Sequence, residues 1–206
     1  MSLYGLLINE TNTGADSEIL VPFSAPLSII SNQPAFASDT LNLKRKIKSQ
    51  NVQRWEIETN LVPTNNSTAL MIHNVINGVA NIFNIRMPQI FGKYKLPAGL
   101  PLSTVGFTSK LSSSVMLTGH GANILPIGDF ITFDGHNKVY LITKDLGANI
   151  VEISPPLLTD IFADTSVSYG DSVTMKARYD SSTILGIKFV DGVLADNGST
   201  VFLEAL

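Results

Sequence analysis

The stretch from Gly128 to Leu157, GDFITFDGHNKVYLITKDLGANIVEISPPL, limits the fold more than any other part of the chain. It contains three short apolar runs, Phe130–Phe133, Lys138–Thr143 and Asn149–Ile153. β-Branched and aromatic residues dominate them and polar turn clusters divide them, which predicts strands. The first connection is Asp134-Gly135-His136-Asn137. Glycine reaches positive φ without steric cost and Asp or Asn bonds its own backbone, so a tight hairpin turn is expected there. Pro155-Pro156 ends the third run, because proline has no N–H to give a ladder. The unit reads as a three-stranded meander without a catalytic constellation.

The flanking sequence extends the β reading. Val52–Leu61 alternates, with Val52, Arg54, Glu56 and Glu58 on one face and Trp55, Ile57 and Thr59 on the other, as in a half-buried strand. Trp55, the only tryptophan, reads as a core anchor rather than a ligand platform. Met71, Ile72, Val75, Ile76 and Val79 follow three-and-four spacing, which predicts one amphipathic helix at about 67–77 closed by Gly78. Ile82–Met87 alternates again and stops at Pro88. Gly92, Pro97, Gly99 and Pro101 then mark a boundary. Beyond it Thr104–Phe107 and Ser114–Thr118 add two strands to the meander, a density that suits a small barrel. Leu157–Ser166 leads back; Ser172–Tyr179, Ile184–Phe189 and Thr200–Leu203 read as strands, with turns at Asp191-Gly192 and Asp196-Asn197-Gly198.

The expected fold is therefore mainly β: a split β-sandwich or barrel with one short helix and an inserted small β-barrel. Residues 1–95 form the first part of one β-domain, 96–164 the inserted barrel and 165–206 the second part. A strand within Arg54–Leu61 or Phe83–Met87 is expected to pair with one after Ser166.

Composition bears on what covers the surface. Charged residues are 15% of 206 and apolar residues 44%, against a usual charged share of about 25%, so a subunit covered by neighbours is expected. A net charge of -3 argues against a dedicated nucleic-acid binder. Without cysteine there is no disulfide, thiolate ligand or cysteine nucleophile. No basic leader precedes an apolar core and no 18 apolar residues run together, so a soluble, cytoplasmically made chain without membrane insertion is expected. The one charge cluster, LKRKIK, places Lys44, Arg45, Lys46 and Lys48 together. It reads either as a solvated face or as a patch facing a polyanion or acidic partner. Met1–Ile8 and Ile19–Ile30, interrupted by Pro22 and Pro26, read as extended edge segments. Leu3, Tyr4, Leu6, Leu7, Ile19, Leu20 and Val21 are their candidate interface residues.

Catalytic motifs are missing: there is no phosphate-binding loop, dinucleotide glycine fingerprint or nucleophile elbow. His73, His120 and His136 are too widely spaced for a local metal motif, and Asp129, Asp134 and Asp145 fall on separate turns.

Four segments, in order, carry a resemblance: RWEIETNL (54–61), FNIRMPQ (83–89), PIGDFITF with KVYLIT and VEISPPL (126–157), and GIKFVDGVLADNGSTVFLEAL (186–206). Together the chain resembles small all-β structural proteins of tailed-bacteriophage tails of the distal-tail, baseplate-hub-adjacent or tube-initiating type, in which a split sheet with one helix carries an inserted barrel. The resemblance implies a non-enzymatic virion protein that needs no cofactor or metal. Such a protein assembles in the host cytoplasm into a ring of its own copies, joins other tail or baseplate proteins, and touches DNA transiently in the tail lumen. A carbohydrate-binding β module is the other class, with Tyr94, Phe107 or Tyr140 contacting a glycan.

Overall fold

A computed structural model describes residues 4–9, 18–39, 45–49, 52–64, 68–69, 72, 82–89, 101–119, 125–180, 188–190, 193–196 and 198–206. The protein is mainly β. Its strands in chain order begin with β1 (Gly5–Asn9), β2 (Glu18–Pro22), β3 (Ser28–Asn32), β4 (Ala35–Asp39) and β5 (Arg45–Ser49). They continue with β6 (Arg54–Thr59), β7 (Ile82–Arg86), β8 (Leu102–Thr104), β9 (Ser114–Thr118), β10 (Phe130–Phe133) and β11 (Val139–Gly147). The last are β12 (Ile150–Ser154), β13 (Ser166–Tyr169), β14 (Thr174–Tyr179), β15 (Lys188–Val190), β16 (Val193–Asp196) and β17 (Thr200–Glu204).

Seven strands form an antiparallel sheet in the order β2-β1-β7-β14-β17-β6-β3. Its core face follows from alternation. In β6 Trp55, Ile57 and Thr59 are buried while Glu58 is exposed, and in β14 Met175, Ala177 and Tyr179 point inward. Strand β7 pairs with β14 and β6 with β17, so the expected pairing of an early strand with one after Ser166 is present. The edges are β2 and β3; Pro22 ends the first, where a missing N–H costs no ladder bond. Gly5 lies where β1 presses on β2: a Cβ there would sit 2.2 Å from the Val21 carbonyl oxygen, so no larger residue fits without moving backbone.

A closed barrel, β10-β11-β12-β9-β8-β13, is built entirely from residues 102–169, which lie in chain order between the paired strands β7 and β14. Register shifts in β11 between Ile142 and Lys144 and between Asp145 and Gly147 supply the bends that closure of so small a barrel requires. Two of its strands serve two cores at once. Ile131, Phe133, Tyr140 and Ile142 fill the barrel, whereas Phe130 and Val139 belong to the core of the sheet and Leu141 packs against it. Burial on both faces explains why FITF and VYLI are nearly continuous apolar runs instead of alternating ones.

Several sequence expectations shift. Strand β8 stops at Thr104 rather than reaching Phe107, because Gly106 turns the chain at φ +71°. β13, within a stretch read partly as a connection, is the strand that closes the barrel between β10 and β8. β4 and β16 arise where no strand is expected. Of the helix expected at 67–77, Thr68, Ala69 and Ile72 are helical; its remaining residues, with His73, Tyr94 and His120, lie outside the described residues.

Candidate functional site

Two features stand apart from ordinary strand packing: a buried charge cluster that joins the barrel to the sheet, and a group of exposed aromatic and charged side chains.

The junction is centred on Lys138, just before β11, and Glu204, the last residue of β17. Thr200, Phe202 and Glu204 alternate onto the core face, so Glu204 is carried inward by the same period that buries Phe202. Lys138 Nζ donates to the Gln53 carbonyl oxygen (3.0 Å), to Gln53 Oε1 (2.6 Å) and to Glu204 Oε2, so its three protons meet three acceptors. Glu204 also accepts the backbone N–H of Trp55 (3.0 Å) and of Val139 (2.8 Å). Trp55 Nε1–H donates to the Val139 carbonyl (2.9 Å), and its ring meets Phe130 edge-on at 5.4 Å. Both charged side chains are almost wholly enclosed. Burial pulls the Lys138 ammonium below the usual lysine range, and the adjacent Glu204 carboxylate offsets part of that shift.

Gln89 fastens the points where the chain enters and leaves the barrel. Its Oε1 accepts the Phe130 N–H (2.9 Å) and its Nε2 donates to the Gly170 carbonyl (3.0 Å). Polar bonds and a shared apolar core thus join the barrel to the sheet. Separating the two would expose a buried ion pair.

The exposed features include β4 and β5, which form a two-stranded ribbon of their own. Phe36 stands opposite Lys48 and Ser38 opposite Lys46 on one face, and Ala37 stands opposite Ile47 on the other, next to Asp39 and Arg45. Phe36 is 69% and Ile47 66% exposed, and Arg45, Lys46 and Lys48 are exposed as well. The structure thus brings three of the four predicted cationic residues onto one ribbon; Lys44 lies outside the described residues.

A second exposed surface is on the barrel, where 104–111 runs antiparallel to 157–165. Thr108 and Ile161 exchange backbone bonds of 2.9 Å, and the Leu111 N–H donates to the Leu157 carbonyl at 2.8 Å. Ile161 and Leu157 point into the barrel core. Val105, Phe107, Leu111, Leu158 and Phe162 are exposed together with Asp160 and Asp164. The Phe107 and Phe162 rings touch at 5.9 Å between centroids, and Asp160 Oδ1 accepts the Lys110 N–H at 2.7 Å.

No protein-family model and no curated protein matches the chain.

The remaining predicted site residues divide by burial. Val21 lies in the core of the sheet with Ile85, which corrects its reading as an interface residue; Leu7 is buried as well, but its register opposite Leu20 and Asn84 places it on the other face of the sheet. Tyr4 packs against that core and Leu20 is half-buried. Leu3 lies outside the described residues, as do the side chains of Leu6 and Ile19. Tyr140 is corrected as a glycan-contact candidate, because it is fully buried with its hydroxyl accepting the Leu158 N–H (3.2 Å). Burial raises its phenol above the usual range. Phe107 is exposed, and Tyr94 lies outside the described residues. His136 packs on Phe133 at 6.0 Å and against the Thr159 hydroxyl, and burial lowers its pKa. Among the described residues no three His, Asp or Glu side chains group in a way that would hold a metal, and no helix is long and apolar enough to cross a membrane.

The junction residues escaped sequence reasoning because Lys138 lies 85 positions from Gln53 and 66 from Glu204. The available signal was Glu204 itself, an acid in phase with Phe202 on an inward face.

Proposed function

We propose that this chain is a non-enzymatic structural subunit of a bacteriophage tail or baseplate, assembling with its own copies into a ring that connects the tail tube to the tip. The observation that supports this reading best is the β4–β5 ribbon. Two isolated strands are marginal in water, and these two carry Phe36 and Ile47 in the open, so a surface outside the chain is what stabilises them. A stiff barrel-to-sheet junction suits a part that transmits force instead of performing a reaction.

The reading brings its finer architecture with it: a split β-sandwich on either side of the barrel, one short helix near 67–77, and the barrel inserted between the halves, its end carried past the expected boundary at 164 to Tyr169 by β13. In the virion Lys44, Arg45, Lys46 and Lys48 face an acidic neighbouring subunit or the DNA passage, with transient contact to DNA in the tail lumen. Negative-stain microscopy and light scattering on the purified chain test the proposal; rings or closed oligomers are the expected result. The second reading, a carbohydrate-binding module, draws on the exposed Phe107–Phe162 pair. A chain that stays monomeric at high concentration and is retained by immobilised bacterial glycans would establish that reading in place of the ring.

A further inference from the structure

The two exposed surfaces match each other. On the ribbon, Phe36 lies opposite Lys48, two residues from the Ser38–Lys46 pair, and Ile47 stands on the reverse face. On the barrel, Phe107 and Phe162 make an aromatic pair with Asp160 and Asp164 at alternate positions along the same arm. One surface is aromatic and cationic, the other aromatic and acidic, and both are exposed on the same chain, so they do not satisfy each other within it. Lys110, also exposed, follows on the turn beside Asp160, whose carboxylate accepts its backbone N–H.

We infer that the β4–β5 ribbon of one copy docks on the Phe107–Phe162 surface of the next. Aromatic rings and charged rims are what interface centres and edges are made of, and opposite potentials select this pairing over ribbon-to-ribbon or barrel-to-barrel contact, where like charges would meet. Because the two surfaces differ, the contact is head-to-tail. Repeated, it closes into a ring when the rotation per copy permits and otherwise runs on as a filament. The inference rests on the ring reading above and gives that ring its interface.

Complementation tests it. One full-length variant carries Phe36→Ala with Lys48→Glu, which disables the ribbon; a second carries Phe162→Ala with Asp164→Asn, which disables the barrel surface. Asn is chosen because residue 164 has φ +60°, a conformation Asn tolerates. In sedimentation velocity the parent chain self-associates, and each variant alone associates at least about tenfold more weakly. An equimolar mixture forms dimers and stops there, since each pair retains one intact ribbon and one intact barrel surface. Association of the parent chain also weakens as salt rises from about 50 to about 500 mM, a readout that needs no variant.

A parent chain that oligomerises while both variants associate normally would overturn the interface and leave the ring reading intact. So would variants that are monomeric alone and monomeric when mixed, because the intact ribbon of one then fails to find the intact barrel surface of the other; variants that each still dimerise alone would show instead that each surface meets its own copy. A parent chain that is monomeric at every concentration would overturn both the interface and the ring. Salt-independent association would remove the charge pairing and with it the inference.

Discussion

At the junction, Lys138 is enclosed by Gln53, Glu204 and the Trp55 ring, whereas on the β4–β5 ribbon Lys46 and Lys48 stand in solvent beside Phe36. The side chain is the same and its environment is opposite. In the first place an ammonium has left water and is held only because three acceptors replace its hydration; in the second it keeps its hydration and its energy in the isolated chain is near neutral. The difference assigns the two regions different work. The junction ties the barrel to the sheet, and the ribbon is left with charge and aromatic surface free for another contact.

The largest expected effect comes from uncoupling the junction. Glu204→Gln leaves Lys138 buried without a counter-charge and sets an amide N–H₂ against the donor at either Trp55 or Val139, so a loss of about 3–5 kcal/mol is expected in urea unfolding. Lys138→Met should cost less, because the Glu204 carboxylate retains two backbone N–H donors that favour its charged form. If Lys138→Met proved the more damaging change, the lysine and not the carboxylate would be the tolerant partner, and the roles at the junction would be reversed.

A smaller effect follows from Trp55→Phe. It keeps an aromatic ring near Phe130 but orphans the buried Val139 carbonyl, at a cost of about 1–3 kcal/mol in the same measurement. An unchanged midpoint would show that the indole N–H contributes nothing to the joint.

At the low end lies the ribbon. Lys46→Glu with Lys48→Glu should move the stability of the isolated chain by no more than about 0.5 kcal/mol, as at other exposed positions. A loss above about 1 kcal/mol would mean that the ribbon packs on its own chain, and the contrast drawn here would collapse.

Much of the β architecture was legible because its signals are local. The period of two in Arg54–Thr59 named both the strand and its two faces, and Ser114–Thr118 was legible as a strand. Gly135 at φ +78° marks the turn expected there, with Asp134 Oδ1 accepting the Gly135 N–H at 3.0 Å. Elsewhere the local signal was weak. Ala35–Asp39 is a run of small and polar residues around one Phe, and becomes a strand only by pairing with Arg45–Ser49. β13, SVSY, is half polar, and closes the barrel because β8 and β10 lie on either side to receive it.

By itself the sequence determined the strand inventory around Gly128–Leu157, the inward placing of Trp55 and the gathering of basic residues near 44–48, all of which follow from period, turn chemistry and neighbouring residue types. Tertiary structure alone decided which core each face of FITF and VYLI enters, because alternation says that two faces differ but not what lies against them. It also separated Phe107 from Tyr140, two aromatic residues of similar local setting, placing one in the open and the other in the barrel core. Most of all it joined Lys138 to Glu204. The free energy of a buried charge depends on whether its partner arrives, and that partner comes from a strand 66 residues away, beyond the reach of any local pattern.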